Sequence, residues 1–216
     1  MGKTWRFFDR LRRKILTVAT GRCAFCHHPT HAGSCLCEDC RKKLLPLDLK
    51  IPGRPYEKAF CAYVYEGVGR ALLLRYKFSA DWIYYLDPIF DGIYDSYRKN
   101  LSDEPFDAVV PVPDYRKKVT HLTPIAKRFC AYTDIPYRPD YLIKKKKTEQ
   151  QHRLSAARRH TNLKGAFKAS SEVAGKRILL LDDIMTTGST AAECSGTLLK
   201  AGAGSVVVLA AFHTQP

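Results

Sequence analysis

The chain has 216 residues, of which 45% are hydrophobic and 11% aromatic, and its formal charge is +15. This length is sufficient for one full domain and a small module, and the composition is that of a folded protein. No apolar run approaches the ~20 residues needed to cross a bilayer, and the N-terminus lacks the apolar core of a signal peptide. We therefore expect a cytoplasmic protein with reduced thiols and no integral membrane segment.

The positive charge comes from 36 Lys and Arg against 21 Asp and Glu. It favours a polyanionic partner, with nucleic acid ahead of an anionic membrane, although an excess of lysine can also serve solubility alone. Residues 1–20 are predicted to form an amphipathic helix, because apolar side chains recur at steps of three and four opposite a basic face. Docking of this helix against the rest of the protein is favoured over binding to a membrane.

Residues 21–45 form a cysteine-rich segment with two Cys-x-x-Cys pairs. The spacing lets both thiolates of each turn face one ion, and four thiolates complete a tetrahedral shell that leaves no position for water. The segment therefore predicts a structural zinc module. Its expected ligands are Cys23, Cys26, Cys37 and Cys40, with Cys35, His27, His28 and His31 close enough to replace one of them.

Residues 56–216 alternate between strand and helix patterns, which predicts an α/β domain with an open, mostly parallel sheet flanked by helices. A loop containing Pro46, Pro52, Gly53 and Pro55 is expected to precede this domain. Ligands of such sheets bind at the carboxyl ends of the strands. The predicted strands are 58–65, 107–112, 141–145, 165–169, 176–181 and 205–212, and the predicted helices are 70–77, 82–97 with a boundary or kink at Pro88, 123–132 and 190–201.

The last predicted βαβ unit contains a distinctive motif. A short apolar strand, 178–181, is followed by Asp182 and Asp183, whose carboxylates can accept hydrogen bonds from a ribose diol. The small hydroxyl-rich turn that follows offers backbone N–H groups at the start of a helix, where a phosphate is favoured. Alternatively, the acids merely end a strand and Thr190 merely caps a helix, but the ordered combination favours a site. The candidate ligand residues are Asp182, Asp183, Met185, Thr186, Thr187, Gly188, Ser189 and Thr190.

This motif resembles the diphosphoribosyl-binding signature of type I phosphoribosyltransferases. The resemblance implies that the acidic pair holds the ribose of phosphoribosyl diphosphate (PRPP), with Mg²⁺, and that the turn holds its 5-phosphate. Together with the cysteine pairs, the chain is similar to the ComF family, bacterial proteins associated with DNA uptake in natural transformation. Further matches are Gly67, Gly69, Leu72, Leu73 and Arg75-Tyr76-Lys77, and the stretch Thr148, Gln151, Leu154, Ser155, Arg158, Arg159 and Asn162 to Phe167.

Two departures from the family pattern affect the expected chemistry. The loop after Pro113, which cradles diphosphate in the superfamily, keeps basic residues but lacks the usual Gly and Asn-Gln. Thr186 stands where purine-salvage relatives carry an Asp as proton acceptor, so no general base is assigned. The diphosphate loop is expected to use Pro113, Arg116 and Lys117, and a basic segment for a lid or for nucleic-acid contact comprises Lys144, Lys145, Lys146, Lys147, Arg153, Arg158 and Arg159.

Two functions follow from the resemblance. The first is a competence factor that binds PRPP and incoming single-stranded DNA, beside an uptake ATPase or helicase as a protein partner. Its basic clusters at 41–43, 116–118 and 144–147 would contact phosphates, whereas Trp82, Tyr84 and Tyr85 are expected in the core rather than stacked on bases. The second is an active, Mg²⁺-dependent phosphoribosyltransferase that acts on an unidentified acceptor.

Overall fold

The computed structural model describes residues 21–31, 33–52, 55–115, 120–146 and 163–214. In these ranges, strands and helices alternate through most of the chain. The strands are β1 (Pro46–Pro52), β2 (Lys58–Val64), β3 (Ala108–Pro111), β4 (Leu142–Lys144), β5 (Phe167–Ala169), β6 (Arg177–Met185) and β7 (Ser205–His213). The α-helices are α1 (Glu38–Lys42), α2 (Gly67–Phe78), α3 (Leu86–Asn100), α4 (Leu122–Thr133) and α5 (Ser189–Lys200), and short 3₁₀ turns occupy Trp82–Tyr85, Pro139–Tyr141 and Ser171–Val173.

The main sheet has the strand order β1-β2-β7-β6-β3. Strands β2, β7, β6 and β3 are parallel, and only β1 at the edge is antiparallel to its neighbour. The predicted open, mostly parallel sheet with flanking helices is therefore confirmed. Strand β3 ends at Pro111, which pairs with Leu181, so β6 extends four residues beyond its neighbour at the carboxyl end of the sheet.

Helices cover both faces of this sheet. In β6, Leu179 and Leu181 face a core built with α2, α3 and α4, whereas Ile178 and Leu180 face a second core built with α5 and the small β4–β5 sheet. All four side chains are completely buried. A strand buried on both faces must be apolar at every position, which explains the continuous hydrophobic run.

The cysteine-rich segment packs against the first of these cores. Cys23, Cys35 and Cys40 are buried in the same apolar cluster as the residues of α2 and α3. The hydroxyl of Tyr84 donates a hydrogen bond to the backbone oxygen of Ser34 and fastens the segment to the turn before α3. This contact also places Tyr84 in the core, as expected from its sequence context.

Three predicted elements differ from the structure. The expected proline loop contains the edge strand β1, whose prolines at 46 and 52 stand at its two ends, where a missing backbone N–H is tolerated. Strand β6 does not end at Leu181 but continues to Met185, because Asp182 and Ile184 still pair with residues of β7. The predicted helix 82–97 begins as a 3₁₀ turn and becomes α-helical at Leu86, two residues before Pro88.

The predicted N-terminal helix, 1–20, lies outside the described residues. Within the part of the chain that is described, no helix combines the length and apolar character needed to cross a membrane.

Candidate functional site

The acidic pair lies on the last residues of strand β6. Asp182 is only 7% exposed, and its Oδ1 accepts a hydrogen bond from the backbone N–H of Asp183 at 2.8 Å. Pairing with Ala210 of β7 fixes the backbone of Asp182 at the carboxyl end of the sheet. The strand therefore presents two adjacent carboxylates in the position where ligands of parallel sheets bind.

The turn after β6 leads directly into helix α5. Gly188 stands immediately before the helix with φ 73°, in the left-handed region that favours glycine. A Cβ at this position would lie 3.1 Å from the Cε of Met185 and 3.3 Å from the hydroxyl of Tyr56. The hydroxyls of Thr187 and Ser189 lie 2.8 Å apart across the turn. The result is a compact, hydroxyl-lined turn at a helix start, as phosphate binding requires.

A cavity of about 670 Å³ lies between this turn and helix α2. The opposite wall carries Arg70 and Lys77, so cations face the acidic strand end across the cavity. Lys77 Nζ lies 2.5 Å from Oδ2 of Asp183, and both side chains are mostly shielded from solvent. Six of the eight candidate residues line the cavity, namely Asp182, Met185, Thr186, Gly188, Ser189 and Thr190. The other two, Asp183 and Thr187, are not among its lining residues.

The burial of Asp182 changes its acidity. Desolvation, together with the neighbouring carboxylate of Asp183, raises the pKa of Asp182 to about 7. Backbone N–H groups and Lys77 act in the opposite direction but do not cancel this shift. A carboxyl held in this way at a cavity wall, where its charge is costly, is typical of a functional site.

The predicted diphosphate loop and lid are only partly described. Pro113 and Lys144 line a second cavity of about 660 Å³ at the carboxyl end of β3, with Asp114 beside them. Burial lowers the pKa of Lys144. A smaller cavity of about 260 Å³, lined by Lys77 and Asp114, lies between the two large ones. Lys145 and Lys146 are exposed after β4, and Arg116, Lys117, Lys147, Arg153, Arg158 and Arg159 lie outside the described residues.

The four predicted zinc ligands come together. The sulfur atoms of Cys23, Cys26, Cys37 and Cys40 all lie within 4.8 Å of one another. The Cys26 and Cys37 sulfurs are 3.6 Å apart, close to the ~3.8 Å edge of a tetrahedron with Zn–S bonds of ~2.3 Å. Burial opposes ionisation of Cys23, yet backbone N–H groups, that of Cys37 foremost, lower the pKa of its thiol to about 6. The cluster therefore fits a metal such as zinc, which binds thiolates.

The alternative ligands do not join this cluster. Cys35 is 2% exposed, and burial raises the pKa of its thiol to about 12, as for a cysteine of the apolar core. His27, His28 and His31 are likewise not part of the four-sulfur group. The four cysteines of the two Cys-x-x-Cys pairs are therefore the residues that the structure brings together.

Comparison with known proteins identifies the relationship. Over 150 residues the chain is 30% identical to Competence protein F of Haemophilus influenzae, a match that covers 63% of this chain and 64% of that protein. Over 61 residues it is 48% identical to the DNA utilization protein YhgH of Escherichia coli K12, covering 28% of this chain and 27% of that protein. The chain is a homologue of these two proteins. The resemblance to the ComF family is thereby confirmed.

The homology covers less than two thirds of either relative's length. No model of a known protein family matches the chain. Among solved structures, a glutamine phosphoribosylpyrophosphate amidotransferase from B. subtilis aligns at 23% identity with a TM-score of 0.39, over 62% of this chain and 30% of that one.

Two cations of the cavity wall were not predicted from the sequence of this Competence protein F homologue. Lys77 was noted only as part of a family motif, and Arg70 was not assigned to the site. Both lie on α2, more than a hundred residues from the acidic pair along the chain. Their position on the cavity wall follows from the packing of α2 beside the end of β6, which no local pattern encodes. The single available signal was that Lys77 belongs to the matched Arg75-Tyr76-Lys77 stretch.

Proposed function

We propose that the protein is a DNA-handling factor of the competence type that binds PRPP at the end of β6 and binds single-stranded DNA elsewhere on its surface. PRPP combines a ribose diol, a 5-phosphate and a diphosphate. The cavity beside Asp182 offers a counterpart for each of them: carboxylate for the diol, the turn for the 5-phosphate, and Lys77 with Arg70 for the diphosphate.

One observation carries this proposal: a nearly buried carboxyl, a hydroxyl-lined turn and two cations surround the same cavity. Carboxylates alone would repel a phosphorylated ligand, and cations alone would accept any anion. Their combination favours a ligand with neighbouring hydroxyls at one end and phosphates at both ends. The DNA part of the proposal is supported by the charge of +15 and by the similarity to a DNA utilization protein and a competence protein.

Two metal ions belong to the proposal. Zinc would be held by the four sulfurs of the cysteine cluster and would stabilise the fold of residues 21–45 without a chemical role. Magnesium would accompany PRPP and neutralise part of its diphosphate, with carboxylate oxygen at the acidic pair as the hard ligand that this ion prefers.

The predicted division into an N-terminal helix, a zinc module and a domain from residue 56 is retained as part of the same proposal.

Titration calorimetry with PRPP and MgCl₂ tests the ligand. Ribose 5-phosphate and 2-deoxyribose 5-phosphate form a matched pair of probes, because they differ only in one hydroxyl of the diol. We expect wild type to bind PRPP and to prefer the ribose compound. Asp182→Asn should weaken the binding of PRPP by at least about tenfold, because a charge-assisted hydrogen bond contributes ~1.5–3 kcal/mol. Equal binding of both sugars, or no effect of the substitution, would refute the assignment of the acids to the diol.

A second candidate function is phosphoribosyl transfer to an unidentified acceptor. It is favoured by the second large cavity, which adjoins the first through Lys77 and Asp114 and leaves room for an acceptor. Mg²⁺-dependent release of pyrophosphate from PRPP that requires an added nucleoside base or amine would establish it. Tight binding of PRPP without release across a broad set of acceptors would instead indicate a ligand-sensing domain.

Competence-related partners are part of the same proposal. A helicase-like uptake ATPase, implied by the family resemblance, is the expected protein partner in a cytoplasmic setting. Co-purification of the tagged chain with such an ATPase from a transforming cell would test it.

A further inference from the structure

A fourth cavity, of about 590 Å³, lies between the first cysteine turn and helix α2. From the cysteine turn it is lined by Phe25. From α2 it is lined by Gly67, Arg70, Leu74, Arg75 and Phe78, which follow one another at steps that place them on a single stripe of the helix. A stripe of this kind normally packs against another element, yet among the residues that the structure describes it borders a groove.

Two exposed phenylalanine rings line this groove. Within the ranges that are described, the large apolar side chains with high exposure are Phe25, Leu45, Phe78 and Ile143. The two aromatic residues of this set, Phe25 at 43% exposure and Phe78 at 77%, both line the groove. Exposed phenylalanines are costly in water, so two of them around one groove indicate a ligand with flat apolar faces.

The same groove is positively charged. Arg70 and Arg75 are exposed, and neither makes an ion pair with any residue that the structure describes. Arginine binds phosphate through a planar fork of donors and also stacks on flat rings. An acidic peptide would satisfy the arginines but not the rings, and an apolar helix would satisfy the rings but not the arginines. A single-stranded polynucleotide has both phosphates and bases with exposed faces.

We propose that this groove, defined by Phe25, Arg70, Arg75 and Phe78, is the surface on which the protein binds single-stranded nucleic acid. The inference rests on the proposed DNA-handling function and gives it a location different from the basic clusters expected from the sequence. Bases stack on the two phenylalanines and the backbone follows the two arginines. The groove runs from the cysteine cluster to the PRPP cavity, with which it shares Arg70, Leu74 and Phe78.

Fluorescence anisotropy with a labelled oligothymidine of about 20 nucleotides tests the groove on the full, zinc-loaded chain. Phe25→Leu and Phe78→Leu keep an apolar side chain but remove the ring, so each should weaken binding at least about fivefold if stacking operates. Arg70→Gln combined with Arg75→Gln should lower the slope of log K against log salt by about 1.4, which corresponds to ~0.7 for each lost phosphate contact.

The matched control removes the same charge elsewhere. Lys42→Gln combined with Lys43→Gln changes exposed cations on and just after α1, in one of the basic clusters expected from the sequence. This control should leave the affinity within about twofold of wild type. Thermal unfolding of every variant shows whether it is folded, and Phe25→Leu, which is absent from the PRPP cavity, should bind PRPP as wild type does.

The outcomes separate the groove from the wider proposal. Strand binding by wild type that is unchanged in the groove variants but lost in the α1 control would overturn the groove and leave DNA binding intact. Absence of strand binding by wild type would overturn both. If the protein bound duplex DNA or polyglutamate as tightly as the single strand, the groove would be a nonselective surface for polyanions, and the proposal would be overturned. Groove variants that lose thermal stability but no strand affinity would show that a segment of the chain itself covers the rings, which would also overturn the groove.

Discussion

Replacing Asp182 with Asn should stabilise the protein at alkaline pH even though it removes a proposed ligand contact. Asp182 is buried against the end of β6, and burial beside Asp183 raises its pKa to about 7 from the ordinary 3.8. Each unit of difference between folded and unfolded states corresponds to ~1.4 kcal/mol, so the charged form costs the fold about 4 kcal/mol at most. Asn keeps the shape and the acceptor for the Asp183 N–H while removing the charge.

The sign of the effect depends on pH. Because the folded-state pKa is raised, the protonated carboxyl costs nothing below about pH 4, where it is neutral in both states. The cost grows as pH rises from about 4 to about 7 and is constant above that range. We therefore expect Asp182→Asn to be within about 1 kcal/mol of wild type at about pH 4.5 and more stable by about 2–4 kcal/mol at about pH 8.5.

Urea unfolding, followed by tryptophan fluorescence and far-ultraviolet circular dichroism at several pH values, measures this difference. Any pH dependence of metal binding at the cysteines is shared by both proteins and cancels. Asp95→Asn, an exposed carboxyl on α3, is the matched control and should change stability by less than about 0.5 kcal/mol at every pH.

Two results would contradict the argument. A difference between Asp182→Asn and wild type that does not vary with pH would show that the buried charge is not its source. A variant less stable than wild type at about pH 8.5 would show that the carboxylate is stabilised by its surroundings rather than strained by them. The expected result would show that the charged carboxyl of Asp182 costs the fold stability, a cost that is common at functional sites.

Three further outcomes are expected. Lys77→Met should lower the free energy of unfolding by about 1–3 kcal/mol, because it leaves the shielded Asp183 without this cation, and should weaken PRPP in calorimetry. Gly188→Ala should lower the free energy of unfolding by about 1–2 kcal/mol, because φ 73° and the contact with Met185 both disfavour a side chain. A melting temperature unchanged within about a degree would contradict this. Metal analysis should find one zinc per chain in wild type and in Cys35→Ser but none in Cys37→Ser, and equal loss in both variants would show that the cluster has been assigned wrongly.

The parts of the site that are contiguous in sequence could be predicted. The acidic pair, the turn and the start of α5 lie within nine residues, so the local pattern contains the geometry. The cysteine cluster was equally accessible, because each Cys-x-x-Cys turn fixes two sulfurs and two such turns need only meet. The parallel sheet followed from the alternation of strands and helices.

Features that depend on long-range packing could not be predicted. The position of Lys77 against Asp183 arises from the way α2 crosses the carboxyl end of the sheet. Strand β1 was hidden because prolines at positions 46 and 52 are turn signals in sequence, whereas at the ends of an edge strand they cost nothing. The extension of β6 through both acids depends on its partner β7, which begins twenty residues later.

The wall formed by Arg70, Leu74 and Phe78 has two sides, one facing the cavity beside Asp182 and the other facing the groove that contains Phe25. An occupant of either side would fix the rotamers that the other occupant meets. Linkage between the two sites is reciprocal. If a ligand in the cavity changes the affinity for a nucleic-acid strand in the groove by some factor, the strand changes the affinity for that ligand by the same factor. Such a shared wall would make the lifetime of the complex with a nucleic-acid strand depend on the cellular concentration of an activated sugar.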